Sequence, residues 1–253
     1  MKLKGKTVVI SGGTKGLGKA LAEELLLQGA CVVIGGRDNE SVNELVSTAN
    51  QVTRRALFVR TDLKIIDDCR NLFEVAESTF GKIDGFVNYA GVTPIASLTD
   101  CDESTYDQIM QVNTKAAFFC CQYALKAMRR NNGGSIVLVG SAHSWSGEKD
   151  RAPYAMSKGA LYTMFEHIAH NYANENIRCN FMTMGWTATE GELELRKSQG
   201  LTKQMLEQGA ASSIPMGRML NYQDHVPSLI LLLSDDSAMM TGANLRITGG
   251  EYI

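Results

Sequence analysis

Short runs of β-branched residues alternate with longer stretches of helical apolar periodicity along nearly the whole chain of 253 residues. Strands that alternate with helices predict βαβ units, in which successive strands lie parallel. The expected strands are at 7–11, 31–36, 56–60, 84–91, 135–141, 177–183 and 244–248. We therefore predict an α/β fold with a doubly wound, parallel, seven-stranded sheet and helices on both faces.

Composition narrows the class of protein further. The chain has no repeat, low-complexity tract or linker, so we predict a single domain over 1–253. A net charge of −2 gives no reason to expect nucleic acid or an anionic membrane as a partner. The six cysteines include no C-x-x-C pair. With no signal peptide or membrane-spanning run, this indicates reduced thiols in a cytoplasmic protein without a metal site.

Two of the predicted helices, at about 105–130 and 154–174, carry apolar residues nearly all the way round. A helix that is apolar on every side has to be covered on every side. The sheet covers one face, and a partner subunit is the economical cover for the other. Cover by the chain's own loops is the alternative.

A glycine-rich turn, SGGTKGLGK, separates the first strand from the first helix. Glycines permit a close backbone approach to a ligand, and free N–H groups at a helix start attract phosphate. The spacing of Gly12, Gly16 and Gly18 suits a dinucleotide pyrophosphate, although it departs from G-x-G-x-x-G. The same stretch nearly fits a P-loop, but Ala20 lacks the hydroxyl that would hold Mg²⁺. A tight turn without a ligand is the third interpretation.

The end of the second strand, IGGRD, bears on the choice of cofactor. An NAD site usually has an acidic residue there, which bonds the ribose 2′-hydroxyl. Gly36 occupies that place, Arg37 follows it, and Lys15 lies in the glycine-rich turn. Two cations suit a 2′-phosphate, so we predict NADP(H) as the favoured cofactor. NAD(H) is the alternative, because Asp38 can also reach a ribose.

The stretch YAMSK places Tyr154 and Lys158 one helical turn apart, with about 5–6 Å between their Cβ atoms. A lysine ammonium so close favours the tyrosinate form of the phenol, as a general acid/base requires. A chain with eight tyrosines produces such a pair easily by chance. The pair therefore needs support from the rest of the sequence.

Taken together, these motifs resemble the short-chain dehydrogenase/reductase family over essentially the whole chain. The matching stretches are SGGTKGLG (11–18), TDL (61–63), NYAG (88–91), QVNTK, VGS, YAMSK (154–158), GWTAT (185–189) and TGANLRITGG (241–250). Ser141 precedes Tyr154 by thirteen residues, as in the family. The resemblance implies a Rossmann-type fold, NAD(P)(H)-dependent interconversion of a secondary alcohol and a ketone, and a homotetramer built through the two apolar helices.

The resemblance also implies roles for individual residues. The catalytic tetrad would be Asn113, Ser141, Tyr154 and Lys158. Besides Arg37 and the Tyr154–Lys158 pair, the cofactor contacts would be Gly12, Thr14, Lys15, Gly16, Leu17, Gly18, Asp62, Leu63, Asn88, Ala90, Gly91, Gly185, Thr187 and Thr189. Two departures stand out: Tyr89 in place of a second Asn, and Met184 in place of Pro before the segment over the cofactor.

The substrate is the least determined part of the prediction. The segment at about 186–215 is long, charged and helix-prone, and we expect it to form a substrate lid. The expected substrate contacts are Ser141, His143, Trp145, Tyr154 and Trp186. These residues suit a sugar or polyol as well as a 3-oxoacyl thioester. A cofactor-binding regulator without turnover is the alternative function on this fold.

Overall fold

The computed structural model describes residues 1–145 and 147–251 and contains one seven-stranded sheet within them. The strands are β1 (Thr7–Ser11), β2 (Cys31–Gly36), β3 (Ala56–Arg60), β4 (Gly85–Asn88), β5 (Gly134–Ser141), β6 (Ile177–Met184) and β7 (Asn244–Ile247). Their order is β3-β2-β1-β4-β5-β6-β7, and every neighbouring pair is parallel. The predicted doubly wound parallel sheet is therefore confirmed.

Helices cover both faces of this sheet. They are α1 (Gly16–Leu27), α2 (Glu40–Ala49), α3 (Ile66–Phe80), α4 (Glu103–Met110), α5 (Ala117–Arg130), α6 (Ala152–Asn171), α7 (Glu190–Ser198), α8 (Lys203–Ser213) and α9 (Tyr222–Leu233). Alternate strand residues point to opposite faces. In β1, Val9 joins the core under α3, α5 and α6, whereas Val8 and Ile10 join the core under α1, α2 and α9.

Two segments differ in detail from the sequence prediction. The single helix expected at about 105–130 is interrupted by a π-helical turn at Gln111–Ala116, which contains Asn113. Such insertions into a helix are frequent at functional sites. The expected lid contains α7 and α8, and the core face of α8 covers a small apolar cluster through Ala210.

Within the described residues, no helix is both long and apolar enough to cross a membrane. All six cysteines are free.

The strand order fixes where a ligand can bind. The chain leaves β1 toward β2 on one side and returns to β4 on the other, so β1 and β4 flank the point where the winding direction reverses. Ligands of open α/β sheets bind beyond the carboxyl ends of the strands at this point. A cleft of about 1240 Å³ occupies this edge of the sheet.

Candidate active site

Two positions of the glycine-rich turn, Gly12 and Gly18, are packed too tightly to hold a side chain. Gly12 has φ +79°, and a Cβ atom built on it would lie 2.8 Å from Ala90 Cα. A Cβ on Gly18 would lie 2.3 Å from the Gly12 carbonyl oxygen. Only glycine avoids these overlaps, so the start of α1 stays close to the NYAG stretch. Gly12, Thr14 and Gly16 line the cleft, whereas the Leu17 side chain is buried in the core.

Three polar side chains border the start of α1: Tyr89, which departs from the family pattern, and Tyr222 and Glu190, which the sequence did not single out. The Tyr89 hydroxyl accepts a hydrogen bond from the Leu17 backbone N–H, and burial raises the pKa of Tyr89 to about 12. Tyr222 donates a hydrogen bond to Glu190 beside it. These contacts join the end of β4, the start of α7 and the start of α9, which are far apart in the sequence.

The end of β2 carries the features that bear on cofactor choice. A Cβ on Gly36 would lie 2.5 Å from Thr14 Cγ2, so a larger residue there would displace the turn. The carboxylate of Asp38 accepts a hydrogen bond from the Glu40 N–H at the start of α2. Arg37 is exposed and lines the cleft. The same end of the cleft is also lined by Lys15, Asp62 and Leu63.

Asn88 has an unsatisfied amide at the end of β4. Its Oδ1 accepts a hydrogen bond from Ser11 Oγ at 3.0 Å, and the residue is 2 % exposed. Its Nδ2 is buried and has no hydrogen-bond partner among the described residues. An unmade buried hydrogen bond costs about 1–3 kcal/mol, so this amide fits an acceptor supplied by a ligand.

Ser141, Tyr154 and Lys158 meet where β5 ends against α6. Ser141 Oγ makes a hydrogen bond with the Tyr154 hydroxyl and accepts another from the His143 backbone N–H at 3.2 Å. Lys158 is 6 % exposed, and its Nζ lies 5.7 Å from the centre of the Tyr154 ring and donates to the Val139 carbonyl at 3.1 Å. All three line the cleft.

Asn113 is held by contacts of its own side chain. Its Oδ1 accepts from the Val92 N–H at 2.8 Å, and its Nδ2 donates to the Val92 carbonyl and to Ser157 Oγ. A Cβ on Gly91 would lie 3.4 Å from Asn113 Oδ1 and 3.5 Å from Lys158 Nζ. The side chain thus fixes the loop after β4 next to Lys158, and the π-helical turn changes the course of the backbone at this residue.

Burial governs the ionisation of the central pair. It raises the pKa of Tyr154 above its ordinary value, while the Ser141 hydrogen bond and the charge of Arg151 lower it. Burial lowers the pKa of Lys158 to about 8. Taking either charged form out of water is unfavourable, so this pair is costly to bury.

Arg151 is a site residue that the sequence analysis missed. It is 4 % exposed, lines the cleft, and donates from Nη1 to the Thr93 carbonyl at 2.9 Å. It lies three residues before Tyr154, so the helical spacing was a usable signal. The contact with Thr93 links segments 58 residues apart and is not visible in the sequence.

The three predicted aromatic substrate contacts lie in different places. His143 lines the cleft, with its ring centre 5.7 Å from that of Tyr154. Burial lowers the pKa of His143, which keeps the ring neutral. Trp186 also lines the cleft. Trp145 is not among the lining residues: it is 47 % exposed and packs edge-on against Tyr162.

The segment after β6 connects the site to α9. Thr187 Oγ1 donates to the Gly185 carbonyl and makes a 2.9 Å hydrogen bond with His225 Nε2. His225 is fully buried, and burial lowers its pKa to about 4. Thr189 caps the start of α7 by accepting from the Glu192 N–H. Gly185, Thr187 and Thr189 all line the cleft.

Comparison with known proteins shows the family to which the chain belongs. The family model described as enoyl-(acyl carrier protein) reductase matches residues 12–251. The chain therefore belongs to the short-chain dehydrogenase/reductase family, as the sequence predicted. It is an oxidoreductase of that family, whose members use NAD(P) cofactors.

Characterised relatives act on chemically different substrates. An L-rhamnose 1-dehydrogenase (NAD(P)(+)) from Azotobacter vinelandii is 31 % identical over 100 % of this chain and 99 % of its own. A 3-oxoacyl-acyl-carrier-protein reductase from Thermotoga maritima is 30 % identical over 100 % of both chains. The crystal structure of a putative short-chain alcohol dehydrogenase from Sinorhizobium meliloti is 29 % identical, with a TM-score of 0.90 over 99 % of this chain and 97 % of that one.

Proposed function

We propose that the protein interconverts a secondary alcohol and a ketone by hydride transfer with NAD(P)(H), and that Tyr154 is the acid/base. The observation that carries the proposal is the meeting of Ser141, Tyr154 and Lys158 in a cleft that continues to the glycine-rich turn. The phenol–ammonium pair provides proton transfer, and the turn provides a place for a diphosphate.

The residues present fit a nicotinamide dinucleotide. The glycine-rich turn offers the start of α1 to the diphosphate, and the unsatisfied Asn88 amide offers a donor beside it. Gly185, Thr187 and Thr189 would hold the nicotinamide end, with Ala90 and Gly91 along the middle. When bound, the cofactor supplies or accepts the hydride.

The protein's own part in the reaction is to move one proton and to hold the substrate oxygen. In ketone reduction, the Tyr154 hydroxyl gives its proton to the oxygen of the forming alcohol; in oxidation, tyrosinate takes it back. The Lys158 ammonium and the Arg151 guanidinium favour tyrosinate. Ser141 Oγ, already bonded to the Tyr154 hydroxyl, would also bond the substrate oxygen and stabilise its developing charge.

Steady-state turnover tests the proposal directly. Oxidation of reduced nicotinamide, followed at ~340 nm, should occur with members of a panel of ketones, sugars and acyl thioesters. Saturable cofactor binding without turnover on any of them would favour a regulatory protein instead.

We expect the Gly18→Ala variant to bind cofactor about 10- to 100-fold more weakly. Its Cβ would overlap the Gly12 carbonyl oxygen and displace the phosphate-binding turn, and such overpacking costs about 1–3 kcal/mol. Kd can be measured by titrating reduced cofactor and following its fluorescence. Gly209→Ala on α8 is the matched control, because Gly209 is not among the residues that line the cleft and the nearest atom to a Cβ there would be in the Trp186 ring, at 3.7 Å. Equal affinity in both variants would contradict the placement of the diphosphate.

We propose NADP(H) as the preferred cofactor, since Gly36 leaves no carboxylate at the end of β2 and the side chain of Asp38 is engaged with α2. The Arg37→Asp variant should then shift the ratio of kcat/KM for NADPH to that for NADH by at least about tenfold toward NADH. Arg54→Asp makes the same charge change at an exposed position away from the cleft. A ratio that moves equally in both variants would count against the assignment.

We also propose a cytoplasmic homotetramer. Phe118 on α5 is 53 % exposed in the single chain, and Met156 on α6 is 53 % exposed. Both lie on the two helices that the sequence pattern and the resemblance indicate as subunit contacts. Light scattering of the purified protein measures the subunit number.

A further inference from the structure

The substrate end of the cleft is built from three segments that the sheet brings side by side. Ser141 is paired with Met184 across β5 and β6, and Met184 is paired with Ile247 across β6 and β7. The residues that follow these strands therefore lie next to one another beyond the same edge. This register brings Trp186 and Glu251 to the side of the proposed hydride-transfer site, although both are far from Ser141 in the sequence.

Two carboxylates flank the Trp186 residue in this region. The Trp186 backbone N–H donates to Glu251 Oε2 at 3.2 Å, and the indole Nε1 donates to Glu192 Oε1 at 2.9 Å. The charge of Glu192 acts on both Tyr154 and His143, which places it within electrostatic reach of the reacting groups. All these residues line the cleft.

Carboxylates outnumber guanidinium groups at this end, where Glu148, Glu192 and Glu251 line the cleft together with Arg151 and Arg196. Arg196 Nε lies 2.6 Å from Glu192 Oε1, and Arg151 Nε lies 3.8 Å from Asp150 Oδ1. In the described part of the chain, no lysine or arginine nitrogen lies within 4.0 Å of the Glu251 carboxylate. Glu251 is half-buried. Its burial and the nearby Glu148 charge raise the pKa of Glu251, so this place already resists negative charge.

A carboxylate in such a position discriminates between substrates by hydrogen bonding and by charge. It accepts strong hydrogen bonds from hydroxyl groups and repels a carboxylate or phosphate on a substrate. Ser141 and His143 add polar side chains beside it, whereas both N–H donors of Trp186 are already bound to Glu251 and Glu192. The two arginines lower the attraction for a cationic substrate. Several acceptor carboxylates beside these polar side chains complement a compound rich in hydroxyl groups and disfavour an anionic one.

We propose that the substrate is a neutral polyhydroxylated compound, a sugar or polyol, and that Glu251 accepts a hydrogen bond from one of its non-reacting hydroxyls. This inference rests on the proposed alcohol/ketone oxidoreductase function and selects between the substrate classes left open above. It assigns to Glu251, in the segment that follows β7, a part in substrate selection, with the Trp186 backbone N–H donating to its carboxylate.

The test compares matched substrates on the intact protein. The panel consists of pentitols, hexitols and ketoses, their aldonic and ketoaldonic acids, their amino-deoxy analogues, simple ketones and an acyl thioester. We expect kcat/KM for the best neutral polyol or ketose to exceed that for its acid analogue and for the acyl thioester by at least about tenfold. Higher kcat/KM for an anionic or ammonium analogue would overturn the inference. This comparison needs no variant.

The Glu251→Gln variant tests the residue itself. It keeps the size and an acceptor oxygen but removes the charge, so the preference for neutral over acidic substrate should fall to about threefold or less. Glu207→Gln, the same change on α8 outside the cleft, should keep the wild-type preference. Wild-type preference in Glu251→Gln would overturn the assignment of Glu251. Turnover with none of the panel, despite cofactor binding, would instead contradict the proposed function.

Discussion

The Tyr154→Phe variant should lose at least about 10²-fold in kcat, the low end of what general acid–base catalysis contributes. The change removes only the hydroxyl that bonds Ser141 and that would exchange a proton with substrate. The ring that packs against His143 remains, so the cleft should keep its shape. The measurement is kcat with saturating cofactor and substrate, together with the cofactor Kd from fluorescence titration.

Tyr162→Phe is the matched control for this prediction. Tyr162 lies on the same helix, packs edge-on against Phe165 and Phe181, and is not among the residues that line the cleft. Its kcat should stay within about threefold of wild type. Near wild-type turnover in Tyr154→Phe would remove the acid/base from the mechanism. A matching loss in Tyr162→Phe would point to disrupted packing of α6 instead.

The fold was predictable because local patterns carry it. The period-2 residues of β1 divide between two cores, and the helical periodicity that follows each strand supplies the covering layers. The meeting of the candidate catalytic residues was predictable because they fall in compact motifs: Tyr154 and Lys158 lie one turn apart, and Ser141 ends a strand. In each case the sequence pattern lies within a few residues of the element or side chain that it predicts.

The rest of the candidate site depends on contacts that no local pattern encodes. Arg151 is held by Thr93, Thr187 by His225, and Glu251 by the Trp186 backbone, across 58, 38 and 65 residues. The prediction of Trp145 as a substrate contact failed for the opposite reason. It lies four residues after Ser141, but the chain turns there and directs the indole to Tyr162. Sequence proximity to a catalytic residue did not give proximity in space.

The π-helical turn is a further feature hidden from the sequence. The residues at about 105–130 fit one continuous helix by periodicity, yet Gln111–Ala116 has a wider hydrogen-bonding pattern. The Asn113 side chain is bound to both backbone groups of Val92, so it holds the loop after β4 against the helix. This tertiary contact accompanies the local departure from α-helical geometry, and propensity alone does not report it.

Replacing Lys158 by methionine should abolish most of the activity and stabilise the fold. Loss of a cation beside Tyr154 raises the pKa of the phenol by about 1–3 units. The fraction of tyrosinate available for oxidation then falls by about 10- to 10³-fold. The folded protein also bears the cost of a buried ammonium, seen in the lowering of the Lys158 pKa to about 8. Methionine fills a similar volume without that charge. We expect a gain of about 1–3 kcal/mol near neutral pH.

The stability gained by Lys158→Met should depend on pH, because burial lowers the pKa of Lys158 in the folded protein only. The pKa of Lys158 is about 8 in the folded protein and 10.5 for an ordinary lysine, so the unfolded chain binds more protons between these values. The stability of the wild type therefore rises with pH across that window, and the advantage of Lys158→Met narrows above about pH 8 and is lost near pH 10.5. Chemical denaturation at several pH values measures this difference.

Lys126→Met is the control for solvent-exposed charge. Lys126 is exposed on α5, so its replacement should change the free energy of unfolding by no more than about 0.5 kcal/mol at any pH in the series. A Lys158→Met variant that is less stable than wild type at neutral pH would show that the ammonium stabilises the fold through Val139 more than its burial costs. Full oxidation activity in that variant would mean that Tyr154 does not need this cation, because Arg151 alone then suffices to lower the pKa of the phenol.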